Sequence, residues 1–570
     1  MTAGRTIGGL VDPGTIEEME RDLTKVIDDF DRAVNLETLR RIKEAGKQLF
    51  TAIIHSQLYC LEQELLLWRL KSVDTTYHRN LGCMGGTREF LLKQLMSWAT
   101  KASGQEESNT YWIYGLPGIG KTSLAHSICA RLHEQSQLAG AFFCRRDVGN
   151  LSDPKNILPT LIHKLSIIFP PFRRLLAERL RNDPNLAPAS MKDTLLLELI
   201  RKLPRLPKCT LIFVIDALDE CGNTKTRLSV LRALTDAATH APWLKVIITS
   251  RPVVDMENFF KGLPQASHLR YDLTTDHETT SDLRIFAQAR FNTMASERYI
   301  PVPWPEDSLL EKVVSQAAGL FMFVETIALA LEHSDDPTEY LKATLDDSAG
   351  SSLTSLYKLY SSILNTRRVR NNSDFRRMIG VLLTATPLRD ETLAELAGVR
   401  PDLVKTWVAD LSSLLYRDEG ANGGIRVRHL SISDFFFRDD CPGEYRVNLR
   451  EANVDLGIAC LNTMVEQLRF NICKLEDSRL ANADVKDLPL RIKENISDAL
   501  QYSSVYWSNH LCRIHDNGDE RVWESLRNFF EGPYSLFWIE VLSIMGSVPI
   551  GVPSLRRVIS KLVKVRTSDT

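Results

Sequence analysis

The chain has 570 residues, 44% of them hydrophobic and 25% charged, with 72 acidic against 70 basic side chains and a formal net charge of −2. At roughly 100–200 residues per domain this predicts three to five globular units with ample apolar material for their cores. The near-neutral balance excludes a global electrostatic pull toward nucleic acid or anionic membrane, and no apolar run approaches the roughly 18 residues of a spanning helix.

The N-terminus, with Asp12, Glu17, Glu18 and Glu20, is wrong for a signal peptide. The ten cysteines are scattered without a CxxC pair or zinc-like cluster, so they read as reduced core thiols of a cytoplasmic protein. Residues 1–74 carry apolar positions at helical spacing (Ile16, Met19, Leu23, Val26, Ile27, Phe30, then Leu49, Phe50, Ile53, Ile54, Leu58, Leu61, Leu65) and predict a helical arm.

From 75 to 275 short apolar strands alternate with helices: Tyr111–Tyr114, Gly140–Arg145, Thr210–Asp216, Lys245–Ser250 and His268–Asp272. This predicts a parallel five-stranded sheet flanked by helices, an α/β nucleotide-binding domain in a multidomain α/β plus α protein. Helical periodicity at 276–350 predicts a helical subdomain. Residues 351–445 combine helices with a turn at Asn422-Gly423-Gly424 between Leu414–Tyr416 and Ile425–Val427, which suggests a winged-helix unit. A C-terminal helical domain is expected at 446–570. No internal repeat of 20 to 50 residues is found.

The chemistry concentrates in Gly115-Leu116-Pro117-Gly118-Ile119-Gly120-Lys121-Thr122, followed by Ser123. A strand, a glycine-rich turn and a helix N-terminus converge here on an anion-sized space, and the glycines allow positive φ and close approach of a phosphate. Lys121 would reach the β- and γ-phosphates, while the Thr122 hydroxyl is placed to ligate Mg²⁺. The buried run Leu211–Ile215 ends in Asp216, a carboxylate suited to hold Mg²⁺ beside that loop. Asp219 and Glu220 follow, and either could act as general base toward an attacking water. The strand 245–249 delivers Arg251, whose guanidinium suits γ-phosphate sensing.

The order GLPGIGKTS, LIFVIDALDEC, VIITSRP resembles the NACHT class of STAND ATPases, particularly fungal heterokaryon-incompatibility and nephrocystin-3-like sequences. Cys83-Met84-Gly85-Gly86-Thr87-Arg88 resembles the segment opening that family's nucleotide domain, and implies that Arg88 belongs with the nucleotide-binding residues. Ala318-Gly319-Leu320-Phe321 is similar to its GLF segment, and Ile425 through Phe436 to its winged-helix signature. Tyr506-Trp507 to Leu511 and Trp538 to Gly546 look like the helices that follow. The likeness spans roughly residues 75–550 and is strongest at 109–255. It implies that His429 touches the β-phosphate of bound ADP and locks a closed state; a lone histidine on a mixed strand, as His429 is placed here, is otherwise more often structural.

The resemblance implies a signal-transducing switch that binds ATP or ADP with Mg²⁺, opens and self-assembles into a homo-oligomer, in non-self recognition or cell-death signalling, with an unknown protein effector or trigger. GTP remains open, although no NKxD guanine-reading motif is present. The alternatives are a constitutive remodelling ATPase, against which stand the single phosphate loop and the lack of an LSGGQ signature, and a winged-helix nucleic-acid binder. Against the latter, Arg417, Arg426, Arg428 and Arg438 are offset by Asp410, Asp418, Glu419, Asp434, Asp439 and Asp440. Relatives generally add an N-terminal effector domain and C-terminal repeats. Neither is evident here, which suggests a reduced switch or a piece of a longer protein.

Overall fold

The computed structural model describes Arg21 and residues 62–67, 70, 73, 75–101, 108–183, 194–203, 206–207, 209–346, 352–365, 368–418, 423–477, 481–513 and 519–568. The helical arm expected over 1–74 falls almost wholly outside them, as does Asn422 of the expected turn. Two compact units are distinguished, Met1–Ser72 with Ile162–Arg205, and Val73–Leu161 with Leu206–Thr570. In the first, the helix Pro170–Asn182 starts on its prolines and buries Phe172, Leu176 and Leu180 at four-residue spacing.

The second unit is built on five parallel strands: β1 (Thr110–Tyr114), β2 (Leu138–Phe143), β3 (Leu211–Asp216), β4 (Leu244–Ser250) and β5 (His268–Asp272). Their order is β2-β3-β4-β1-β5. All residues of β3 and β4 are buried, as expected of near-continuous apolar runs in the middle of a parallel sheet. Pairing sets Tyr114 opposite Ser250 and Ile215 opposite Ile248, so the carboxyl ends of β1, β3 and β4 finish along one edge. The second strand begins and ends two residues earlier than the sequence predicts. Its pairing with β3 shifts between Leu138 and Gly140, letting Gly140 sit inside the strand.

Lys245, within β4, is fully buried. Its ammonium donates to the carbonyls of Trp98 (2.6 Å) and Lys101 (2.8 Å), satisfying the C-terminal end of the helix Glu89–Thr100. Cys209, by contrast with the expected core thiols, is exposed in the segment leading to β3.

Beyond the sheet the chain is helical: Thr279–Glu297, Asp307–Ala317, Phe321–Glu332, Pro337–Asp346 and Ser352–Leu364 precede Ser373–Thr384, Asp390–Ala397 and Pro401–Asp410. Asn372 caps the amides of Asp374 and Phe375, and Pro401 occupies the first turn of its helix. An antiparallel pair follows, β6 (Leu415–Arg417) and β7 (Ile425–Val427), then the helix Leu430–Phe437. From Leu449 to Ser568 the described residues form helices and connecting turns, with Trp507 and Trp538 packed edge to face in their core. No helix among the described residues is long and apolar enough to cross a membrane.

Candidate functional site

The loop after β1 turns on two glycines with φ of +82° at Gly118 and +94° at Gly120, a region that L side chains avoid. A β-carbon at Gly118 would stand 2.8 Å from Met322 Cβ. The Met322 amide donates to the Gly118 carbonyl (3.1 Å), so the loop is tied to the helix Phe321–Glu332. Among the described residues the amides of Gly118, Ile119 and Gly120 donate to no protein acceptor. Ile119 and Pro117 are buried and Leu116 half-buried, which fixes the loop to the sheet while Thr122 stays exposed and Ser123 half-buried at the head of the helix Lys121–Glu134.

Lys121 folds back on its own loop, donating to the carbonyls of Gly115 (2.9 Å) and Leu116 (2.8 Å). Burial lowers its pKa to about 8; Asp219 opposes that shift and Arg251 adds to it.

The end of β3 meets this loop directly. Thr122 Oγ1 donates to Asp216 Oδ2 (2.8 Å), and Thr249 Oγ1, at the end of β4, donates to Asp216 Oδ1 (2.5 Å). Burial raises the Asp216 pKa against the pull of both hydroxyls and Lys121. Ala217 then takes a left-handed φ of +51° and donates its amide to Thr249 Oγ1 (2.9 Å), turning the chain into the short helix Leu218–Glu220. This turn separates the two following carboxylates. Asp219 is buried and committed to Arg251, accepting from its amide (3.0 Å) and pairing with its Nε (3.4 Å). Glu220 has no such partner among the described residues, and burial together with the charges of Asp219 and Asp216 lifts its pKa to about 7.

Arg251 also donates through Nη1 to Asp434 Oδ2 (2.6 Å), on the helix Leu430–Phe437. The residue at the head of that helix is His429. Sequence places it on a strand, but β7 stops at Val427 and His429 is the N-cap: its Nδ1 accepts from the Ser431 amide (3.1 Å). Ser431 Oγ lies 2.6 Å from the same nitrogen and 2.8 Å from the hydroxyl of buried Tyr360. With Nδ1 accepting, the ring proton sits on Nε2, which is left to donate elsewhere. Burial, then Lys121 and Arg251, lower the His429 pKa to about 3, so the ring is neutral at physiological pH. The ring reaches the phosphate loop: a β-carbon on Gly118 would be 3.9 Å from His429 Cε1.

Arg88 stands behind the loop. It caps the helix Glu89–Thr100 with a left-handed φ of +56°, and its guanidinium donates to Asp276 (2.7 Å), Thr279 (2.8 Å) and the Ile119 carbonyl (3.1 Å) while lying over the Phe321 ring. Both of its Nη groups thus bond to protein groups, and through the Ile119 carbonyl it braces the loop. The donor set accords with a nucleotide phosphate and Mg²⁺: undonated loop amides, a lysine, and a threonine hydroxyl touching a carboxylate. Thr249, Asp434, Tyr360 and Ser431 enter the site from structure alone; the sole local hint was the position of Thr249 two residues before Arg251.

Residues 86–251 match the family model described as Nephrocystin 3, N-terminal. The vegetative incompatibility protein HET-E-1 of Podospora anserina is 25% identical over 504 residues, 80% of this chain and 35% of that protein. The chain therefore spans about a third of the length of the curated relative it matches. Among solved structures, a STAND protein with a tetratricopeptide repeat sensor from Pyrococcus horikoshii has 15% identity and a TM-score of 0.36, covering 87% of this chain and 67% of that one. A Walker-type ATPase of Pyrococcus abyssi has 15% identity and a TM-score of 0.29, covering 61% and 94%. The fold itself rests on the strand order and the phosphate loop. By the strand order, the phosphate loop and the matches over sequence, residues 86–251 lie in a P-loop NTPase domain similar to the nephrocystin 3 N-terminal family, and the chain over a longer span is similar to a vegetative incompatibility protein.

Proposed function

We propose that the chain is a nucleotide-operated switch that holds ADP in a closed state and opens toward self-assembly when ATP takes its place. The observation that carries this reading is the approach of His429, the cap of a helix more than three hundred residues further along the chain, to Gly118 of the phosphate loop. In it, the amides of Gly118–Gly120 and Lys121 bind the phosphates, and Nε2–H of His429 donates to the β-phosphate, clamping the 351–445 segment, read as a winged helix, onto the nucleotide domain. Thr122 and Asp216 would hold Mg²⁺, which when bound would supply charge neutralisation at the phosphates. Arg251 reads the γ-phosphate. Glu220, poised near neutral pH and without an ion-pair partner among the described residues, orients and deprotonates water for slow hydrolysis; Asp219 positions Arg251.

One hydrogen bond to a charged group, worth about 1.5–3 kcal/mol, falls short of the roughly 5.5 kcal/mol that moves an equilibrium from 1:99 to 99:1. A second input, a protein trigger, is therefore part of the proposal. Likeness to a vegetative incompatibility protein supports an output in non-self recognition. A nucleic-acid-binding role for the hairpin finds no support, since Arg417, Arg426 and Arg438 are each paired with carboxylates. Size-exclusion profiles in ADP and in a non-hydrolysable ATP analogue test the reading. A monomer with ADP that enlarges with the analogue is expected; continuous turnover of several ATP per second by a monomer overturns it in favour of a motor.

A further inference from the structure

The cation that would read the terminal phosphate is already engaged. Arg251 is fixed from one side by Asp219, through its amide (3.0 Å) and Nε (3.4 Å), and this leaves its Nη face toward Asp434, whose carboxylate accepts at 2.6 Å. Both the guanidinium and the Asp434 carboxylate are about one-fifth exposed, so the pair is shielded without being sealed from solvent. Asp434 lies on the same short helix as His429, so the segment that brings the imidazole to the loop also brings this carboxylate to Arg251. Carboxylate and phosphate oxygens are equivalent partners for a guanidinium, and one Nη face cannot serve both in the same geometry.

We infer that Asp434 is a specificity-determining residue that stands in for the γ-phosphate in the closed state, occupying Arg251 and thereby favouring a diphosphate over a triphosphate. It does so twice over: it removes the cation that a third phosphate needs and adds a negative charge where that phosphate would approach. This rests on the nucleotide reading of the site and names a determinant of which nucleotide the closed chain accepts.

The two halves of the ion pair separate this role from simple latching. A latch is broken equally by removing either partner, whereas a competitor and its target act oppositely. Equilibrium binding of ADP and of a non-hydrolysable ATP analogue, with Mg²⁺, is measured for the wild-type chain, Asp434→Asn and Arg251→Gln. Asp434→Asn should shift preference toward the triphosphate by about tenfold or more, while Arg251→Gln should shift it toward the diphosphate. Asp434→Ser, run beside the isosteric change, should move in the same direction as Asp434→Asn. Shifts of the same sign for Asp434→Asn and Arg251→Gln, or an unchanged ratio in both Asp434 variants, overturn the inference and leave the nucleotide reading standing. A wild-type chain that binds neither nucleotide overturns both.

Discussion

The amide of Met322 donates to the carbonyl of Gly118 across 3.1 Å, so the phosphate loop and the helix that begins at Phe321 share one hydrogen bond at the loop's tightest point. Gly118 has no room for a side chain there, with φ at +82° and Met322 Cβ 2.8 Å from where a β-carbon would lie. Gly118→Ala should therefore destabilise the unit by about 1–3 kcal/mol and reduce ADP affinity together. Urea unfolding and ADP titration check this; unchanged values in both would show that the loop relaxes freely.

The Thr122–Asp216 contact of 2.8 Å places a hydroxyl and a carboxylate where one hydrated cation can meet both. Asp216→Asn and Thr122→Ala should each weaken nucleotide binding about 10–100-fold in Mg²⁺, roughly 1.4–3 kcal/mol, and much less in EDTA. Equal losses in Mg²⁺ and in EDTA would mean that these residues act only on the loop's shape.

Glu220, raised to about 7 by burial and by Asp219 and Asp216, must lose its proton to act as a base. Hydrolysis should thus increase with pH through about 7, and Glu220→Gln should abolish it about 10²–10⁴-fold while leaving ADP affinity within about threefold. A flat pH profile, or full activity in the variant, would remove Glu220 from that role.

His429 titrates in the opposite sense. Its pKa falls to about 3 in the folded chain, against about 6.5 in an unfolded one, so between those values the unfolded state binds the extra proton and stability increases with pH. Acidification from pH 7 to pH 5 should cost at most about 2 kcal/mol through this residue, and His429→Gln should lack that part of the loss. Parallel urea unfolding of both chains at the two pH values measures it; identical pH dependence would mean that the imidazole is not held neutral.

Much of the sheet was legible because its signals are local. The buried runs of β3 and β4 announce themselves, and the phosphate loop is a matter of residue type at fixed spacing. What sequence could not show depends on docking. Tyr360 meets Ser431 across 71 positions, and Arg251 meets Asp434 across 183. Sequence puts His429 on a strand, whereas its capping bond to Ser431 is set by where β7 ends, which alternation of apolar residues does not mark. Asp219 and Glu220 are equivalent in sequence; only the left-handed turn at Ala217 and the Arg251 contacts give one to positioning and leave the other unpaired among the described residues.

The clamp between Gly118 and His429 is tested most directly by the nucleotide that each purified chain retains and the rate at which it leaves. Wild-type protein should copurify with ADP and release it slowly, whereas His429→Ala should lose the ADP or release it about tenfold faster or more, as expected for one hydrogen bond to a phosphate. Retention and release of ADP identical in the two chains would contradict the clamp.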